Sequence, residues 1–177
     1  MTTSESTVST VPDEREVLLA MIASQNQAFR YAVSGLTEAQ ARSVPSASAM
    51  SLSSLLNHVI QGENSAIDKI AGTYGQSDPT AAWLAGWQVA ADESIANQLA
   101  RVDEAAERMT KVVRAEQQLD RIVDLPDDVR QWMPADIVTT VRWMLLHQVE
   151  ELARHAGHAD IIRESLDGAT ADQLRGR

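Results

Sequence analysis

Apolar residues recur every three to four positions along four stretches of the chain, which is the spacing of one face of an α-helix. The stretches cover residues 12–35, 51–71, about 92–116 and about 136–166. No stretch alternates with the period of two that marks a strand, and no repeat of fixed period occurs. Four long amphipathic helices predict an all-α protein built as a four-helix bundle.

The segments between these stretches carry residues that break or cap helices. Residues 36–41 are expected to form a short capped turn, and residues 72–80 a loop. Trp83 and Trp87 follow that loop on a short helical segment. Residues 119–134, which contain two prolines, are predicted to be the longest irregular connection. The last long helix is expected to stop at Gly168.

The length and the ends of the chain suggest a single domain. The 177 residues show no sign of a second unit, and the Ser/Thr-rich residues 1–11 are expected to be a flexible tail. We therefore predict a helical-bundle domain over residues 12–168 and a C-terminal tail over residues 169–177. Cysteine is absent, so the chain offers no disulfide, no thiolate ligand and no cysteine nucleophile.

Charge and hydropathy exclude two classes of partner. A net charge of −10 argues against a nucleic-acid-binding surface, which would need clustered Lys and Arg. No apolar run approaches the ~18 residues of a membrane span, and the amino terminus has no apolar core for export. We expect a soluble, cytoplasmic protein that binds neither nucleic acid nor membrane.

Three of the four histidines lie in the last amphipathic stretch. On a helix His155 is at the middle of the apolar face, and Glu151 lies within roughly 40° of it, one turn earlier. An unpaired buried charge costs several kcal/mol or becomes neutral, so this pair needs a partner. A divalent metal and a buried hydrogen-bond network are the two candidates. His147 is about 12 Å along the helix axis from His155, too far to share an ion.

A metal site needs a third protein ligand, and the second helix contains two candidates for it. His58 is the obvious choice, although it lies at the edge of that helix's apolar stripe. Glu63 lies nearer the centre, so it is a competing ligand or an acid/base group. His158, three residues after His155, is a further candidate that would replace Glu151 or hydrogen-bond to a ligand.

Other residue types give weaker signals. The four tryptophans are too scattered for a base-stacking platform and are expected to serve in packing. Trp132 and Met133 lie in the long connection and are expected to line the mouth of a pocket. The serines at 46–54 have no histidine placed by the sequence as a partner, so a serine nucleophile is disfavoured.

Three segments of the chain resemble the DinB/YfiT-like superfamily, in particular its actinobacterial-type DinB branch. They are QNQAFRYAVSGLTEAQAR at 25–42, MSLSSLLNHVIQGEN at 50–64 and VRWMLLHQVEELARHAGHADIIRESLDG at 141–168. The likeness extends from about Glu14 to Gly168, and the third segment is its most specific part. It implies a four-helix bundle of up-down-down-up topology, often a homodimer.

The resemblance also implies a divalent metal, often zinc or nickel. One ligand falls on His58, and the pair from the last helix falls on Glu151 and His155. Many members carry His where this chain has Glu151, and the Glu resembles the arrangement in mycothiol-dependent maleylpyruvate isomerase. Members of known activity act with low-molecular-weight thiols, either by isomerisation through thiol adducts or by thiol transfer to electrophiles.

These observations predict a metal-dependent thiol S-transferase or isomerase with a small-molecule substrate. Metal-dependent hydrolysis by an activated water uses the same ligands and is one alternative. A non-catalytic dimeric bundle, with a binding or stress-response role, is the other. In that case the His/Glu cluster is a structural network. Glu63 and His158 are the candidate proton-transfer residues.

Overall fold

Eight helices make up the regular structure of the described residues. The computed structural model describes residues 12–75, 78–131, 133 and 136–176. The helices are α1 (Glu14–Val33), α2 (Glu38–Arg42), α3 (Leu52–Ala71), α4 (Pro79–Gly86), α5 (Ile95–Ala115), α6 (Asp127–Arg130), α7 (Val141–Asp167) and α8 (Ala171–Leu174). An isolated bridge between Ile122 and Thr140 is the β-type pairing within those residues. The prediction of an all-α protein is confirmed.

Capping residues fix the ends of the long helices. Ser51 caps α3 in a reciprocal capping box with Ser54, and Gly168 ends α7 in the left-handed region at φ 78°. The predicted starts of the third and fourth long helices were early by three and five residues. Ser94 and Thr140 accept hydrogen bonds from the first turns of α5 and α7, and so set those starts.

Short helices also occupy segments that were expected to be irregular. Helix α4 begins at Pro79, inside the predicted loop, because the Asp78 side chain caps it. Helix α6 lies within the predicted long connection, and α8 lies within the expected C-terminal tail. The predicted tail at 1–11 lies outside the described residues, as does Trp132.

Each of the four long helices packs most extensively against two of the others. Helix α1 contacts α7 and α5, and α3 contacts α5 and α7. Four interhelical pairs fix the directions: Arg142–Glu14 and Arg163–Ala32 make α7 parallel to α1, Gln98–Ser53 makes α5 parallel to α3, and Arg114–Glu16 makes α5 antiparallel to α1. Along the chain the long helices therefore run one way, twice the opposite way, and then the first way again.

The apolar stripes meet in one core. Its largest fully buried apolar side chains are Phe29, Leu52, Leu55, Leu56, Ile60, Ile67, Met109, Leu145, Leu152 and Ile162. Val17 and Met21 belong to the predicted stripe of the first helix but are 41% and 44% exposed, because they lie at its edge. Within the described residues no helix is long and apolar enough to span a membrane.

Candidate metal centre

His58 of α3 and His155 of α7 meet where these two helices pack together. Their ring centroids are 4.9 Å apart, with an interplanar angle of 81°. Glu151 lies one turn before His155, and its Oε2 is 3.6 Å from His155 Nε2. The His155 side chain is 12% exposed and that of Glu151 is 36% exposed. The structure thus brings the three residues of the expected ligand set to one place.

Both imidazoles are held neutral by their surroundings. Burial, helped by the nearby His155, lowers the pKa of His58 to about 4. Burial also lowers the pKa of His155, with Glu151 opposing and His158 and Arg154 adding to the effect. A neutral imidazole carries the lone pair that a metal ligand needs. The two side chains are therefore in ligand form at pH 7.

Unpartnered nitrogens mark the same place. The Nδ1 atoms of His58, His155 and His158 are buried and have no hydrogen-bond partner in the described structure. Burying a polar atom without a partner is costly, so such atoms call for a ligand, an ion or a water. Two imidazoles and a carboxylate suit a divalent cation such as zinc. Among the described residues, however, no three His, Asp or Glu side chains already form a metal-binding group.

Trp87 covers His58 from the side of α4. Its ring stacks on the imidazole at 3.8 Å between centroids and an angle of 11°, and its centroid is 6.1 Å from that of His155. Two residues of α3 hold this end of α4 in place. Asn57 Nδ2 donates to the carbonyls of Gly86 and Gln88, at 3.0 and 2.7 Å, and Gln61 Nε2 donates to that of Ala82.

A glycine, Gly86, lies where α4 approaches α3 most closely to His58. A Cβ added at Gly86 would overlap the Gln61 side chain and lie 3.5 Å from His58 Nδ1. The stacked residues His58 and Trp87 are almost thirty positions apart, the first within α3 and the second at the end of α4. The i, i+4 spacing of Trp83 and Trp87 was the one signal available, since it places both rings on one side of a helix.

A cavity of about 230 Å³ opens beside the histidine pair, and we call it the site cavity. Its wall includes His58, Glu151 and His155, together with Trp83 and Met133. Met133 was expected at a pocket mouth and does line this cavity. The three candidate ligands therefore face a space that a small molecule can enter.

Glu63, the competing ligand, lies elsewhere in the bundle. It is 1% exposed, and its two carboxylate oxygens each accept a hydrogen bond from Asn26 Nδ2 of α1 at 3.3 Å. Burial raises the pKa of Glu63 to about 7, although the Asn26 hydrogen bond opposes this. Glu63 does not line the site cavity. Its predicted place near the centre of the stripe agrees with its burial.

The other two histidines of α7 lie on either side of the centre. The ring of His158 is 5.7 Å from that of His155 and tilted by 48°. His147 lines the site cavity, stacks on Trp143 at 4.8 Å, and lies 3.6 Å from Glu150. His158 is thus close to the pair without lining the cavity, whereas His147 lines it at a distance from the pair.

Comparison with known proteins gives one match. The family model described as mycothiol-S-transferase matches residues 17–168 of the chain. No curated protein and no solved structure matches it. The matched segment contains all four long helices except the first turn of α1, together with His58, Glu151 and His155.

That match agrees with the likeness already evident in the sequence. It covers most of the 177 residues, and the matched family is itself DinB-like, as the three segments at 25–42, 50–64 and 141–168 predicted. The chain belongs to the mycothiol-S-transferase family.

Proposed function

We propose that the protein transfers a low-molecular-weight thiol, mycothiol, to an electrophilic small molecule at a divalent metal site formed by His58, Glu151 and His155. Family membership supports the thiol and the type of reaction. The main support for the metal site is that His58 and His155 lie close together at the wall of the site cavity, each with an unpartnered Nδ1. Zinc or nickel is the expected metal.

The bound cation would supply a positive charge that lowers the pKa of a nearby thiol, so that the thiolate is populated at neutral pH. The protein's own residues provide the setting. His58 and His155 are held neutral by burial, and Glu151 contributes a carboxylate. Trp87 covers one face of His58 and limits the access of water to it.

The proposed reaction is a substitution at carbon. The thiol loses its proton to solvent water, and its sulfur forms a bond to the electrophilic carbon of the acceptor. The bond from that carbon to the leaving group breaks, and the leaving group departs with the electron pair. The chain has no cysteine, so the sulfur comes from the cosubstrate. In an isomerase the thiolate would instead add to a carbon–carbon double bond and that carbon pair would take up a proton. Rotation about the resulting single bond, followed by loss of the proton and of the thiolate, would restore the double bond in the other geometry.

Two further parts of the proposal concern the whole protein rather than the site. We expect the protein to act as a homodimer, and we expect it to work in the cytoplasm, where a thiol cosubstrate stays reduced. Size-exclusion chromatography with light scattering tests the first. Neither expectation enters the argument for the site.

The test is a transfer assay with purified protein, mycothiol and an alkylating electrophile, followed by mass spectrometry of the thioether product. We expect product from protein loaded with zinc or nickel, and loss of that activity after dialysis against chelator. Restoring the metal should restore it. Hydrolysis of the electrophile without thioether formation would instead support the hydrolase alternative. No turnover and no metal uptake would support the non-catalytic bundle.

A further inference from the structure

A second and larger cavity adjoins the site cavity. It encloses about 750 Å³, within the range of roughly 300–1,000 Å³ that is usual for small-molecule sites. Helix α3, helix α4, the α6 region and α7 form its walls. We call it the apolar chamber because most of its large side chains are apolar or aromatic. They are Tyr74, Trp83, Val129, Met133, Ile137 and Trp143.

The apolar chamber and the site cavity form one continuous cleft. Six residues line both: Gly62, Ser65, Lys69, Trp83, Met133 and His147. Trp83 also meets Trp87 edge to face at 6.1 Å, and Trp87 in turn stacks on His58. Only the rings of Trp83 and Trp87 therefore separate a molecule that contacts Trp83 in the chamber from His58, a candidate metal ligand.

Three polar side chains of the chamber have contacts within the protein. Gln61 donates its amide to the carbonyl of Ala82, and Lys69 Nζ lies 4.9 Å from the centroid of the Tyr74 ring. Glu150 is 3.6 Å from both Arg154 and His147. The large apolar side chains of the chamber present ring faces, aliphatic groups and a thioether to a ligand. Such a surface favours an apolar or aromatic molecule over a highly hydroxylated one.

We propose that the apolar chamber binds the apolar, preferably aromatic, body of the acceptor and directs its reactive carbon into the site cavity. This inference rests on the proposed function for the role of the ligand as acceptor. It adds the chemical class of that acceptor and the place where it binds. No new covalent step is involved, because the chamber only holds the molecule that the thiol attacks.

Gly62 is a position at which a larger side chain would block the passage between the apolar chamber and the site cavity. It lies on α3 and lines both cavities, and a Cβ built there has no heavy atom within 4 Å. A leucine at this position would extend into the shared space, and its Cβ would meet no neighbouring atom. It would also favour the helix, since glycine is a poor helix former. Gly157 on α7 is a matched control, because it too is helical and open but lines neither cavity.

The experiment measures the binding of 2-naphthol, an unreactive aromatic probe, to metal-free and thiol-free protein by isothermal titration calorimetry. We expect the wild type to bind it and Gly62→Leu to bind it roughly tenfold or more weakly. Gly157→Leu should bind it within about twofold of the wild type. Circular dichroism of each variant checks that the helices are retained.

A second pair of variants covers the case in which Gly62→Leu does not fold. Ile137 lines the chamber, whereas the adjacent Val138 is 64% exposed and does not. Ile137→Asp should weaken naphthol binding, and Val138→Asp should leave it unchanged. The inference is overturned if the wild type does not bind naphthol, or if the folded chamber variants bind it as the wild type does.

Because the measurement uses neither metal nor thiol, it separates the two proposals. Binding that the chamber variants weaken supports the chamber even if no thiol is transferred, and in that case only the proposed function fails. Conversely, thiol transfer with an unchanged KM for an aromatic acceptor in Gly62→Leu would contradict the chamber and leave the proposed function intact.

Discussion

Glu63 and the His58–His155 pair are ionisable groups between the packed helices, and they differ in what surrounds them. Glu63 is sealed in the core, where Asn26 donates to both of its oxygens. His58 and His155 lie beside a cavity, and each has a buried nitrogen without a hydrogen-bond partner. A polar group that is buried and has a protein partner serves the fold. One that is buried, unpartnered and next to open space is prepared for a ligand.

The largest expected effect comes from removing a proposed metal ligand at the cavity. His155→Ala should lower thiol transfer by roughly 100-fold or more, because even residues that only support metal ligands cost 10–100-fold when removed. Its helical content should stay close to that of the wild type. The assay is product formation under metal-saturating conditions, with circular dichroism alongside.

Glu63→Gln is the matched variant for the buried carboxylate that Asn26 holds in the core. Glutamine keeps the shape of the side chain, and transfer should stay within roughly tenfold of the wild type because Glu63 does not line the site cavity. A loss as large as that of His155→Ala would place Glu63 in the chemistry and break the comparison.

The pH dependence of stability should also separate the two places. The folded-state pKa of Glu63 is raised to about 7 from 4.5, so the folded protein holds this proton more tightly than the unfolded chain. Its contribution to the free energy of unfolding is present in full below about pH 4.5 and is lost as the pH rises to about 7. It amounts to on the order of 3 kcal/mol. Urea unfolding across this range measures it.

His58 contributes with the opposite sign. Its folded-state pKa is lowered to about 4 from 6.5, so stability from this group is lost as the pH falls from about 6.5 to 4. The two effects partly cancel in the wild type. The difference between the wild type and Glu63→Gln isolates the carboxylate, and a difference that does not change with pH would contradict its assignment.

Removing the partner of the sealed carboxylate should have a smaller effect. Asn26→Ala leaves Glu63 without its side-chain donor and should lower the free energy of unfolding by about 1–3 kcal/mol. The loss should be greater at pH 8, where the carboxylate is charged, than at pH 5. Gln27→Ala, at the exposed neighbouring position, should change stability by less than about 0.5 kcal/mol.

The smallest effect is expected at the aromatic cover of the cavity. Trp87→Leu removes the ring stacked on His58 and lets water reach it, so the pKa of His58 should rise from about 4 toward 6.5. NMR titration of the metal-free protein measures this. Trp143→Leu removes the ring stacked on His147 instead and should leave the pKa of His58 unchanged.

Local features of the sequence were enough to predict the long helices. The apolar spacing and the stop at Gly168 act within one or two turns, and the last long helix ends at the predicted glycine. The starts of α5 and α7 were harder to predict, because the acidic residues before them also occur commonly in the first turn of a helix. There the capping hydrogen bonds of Ser94 and Thr140 decide the boundary.

The candidate site was only partly predictable for a related reason. Glu151 and His155 share one helix, so their spacing alone places them together. His58 joins them through the packing of α3 on α7, which the family resemblance implied and which periodicity could not decide. The contacts Trp87–His58 and Asn26–Glu63 join residues of different helices. No pattern within a single helix encodes such pairs.

Metal content is the most direct test of the central claim, that the unpartnered histidine cluster rather than the sealed carboxylate binds a ligand. Elemental mass spectrometry would be applied to untagged wild-type protein, His155→Ala and Glu63→Gln, each after addition of zinc or nickel and removal of the excess. We expect about one ion per chain in the wild type and in Glu63→Gln, and none in His155→Ala. No uptake by the wild type, or equal uptake by His155→Ala, would contradict the account.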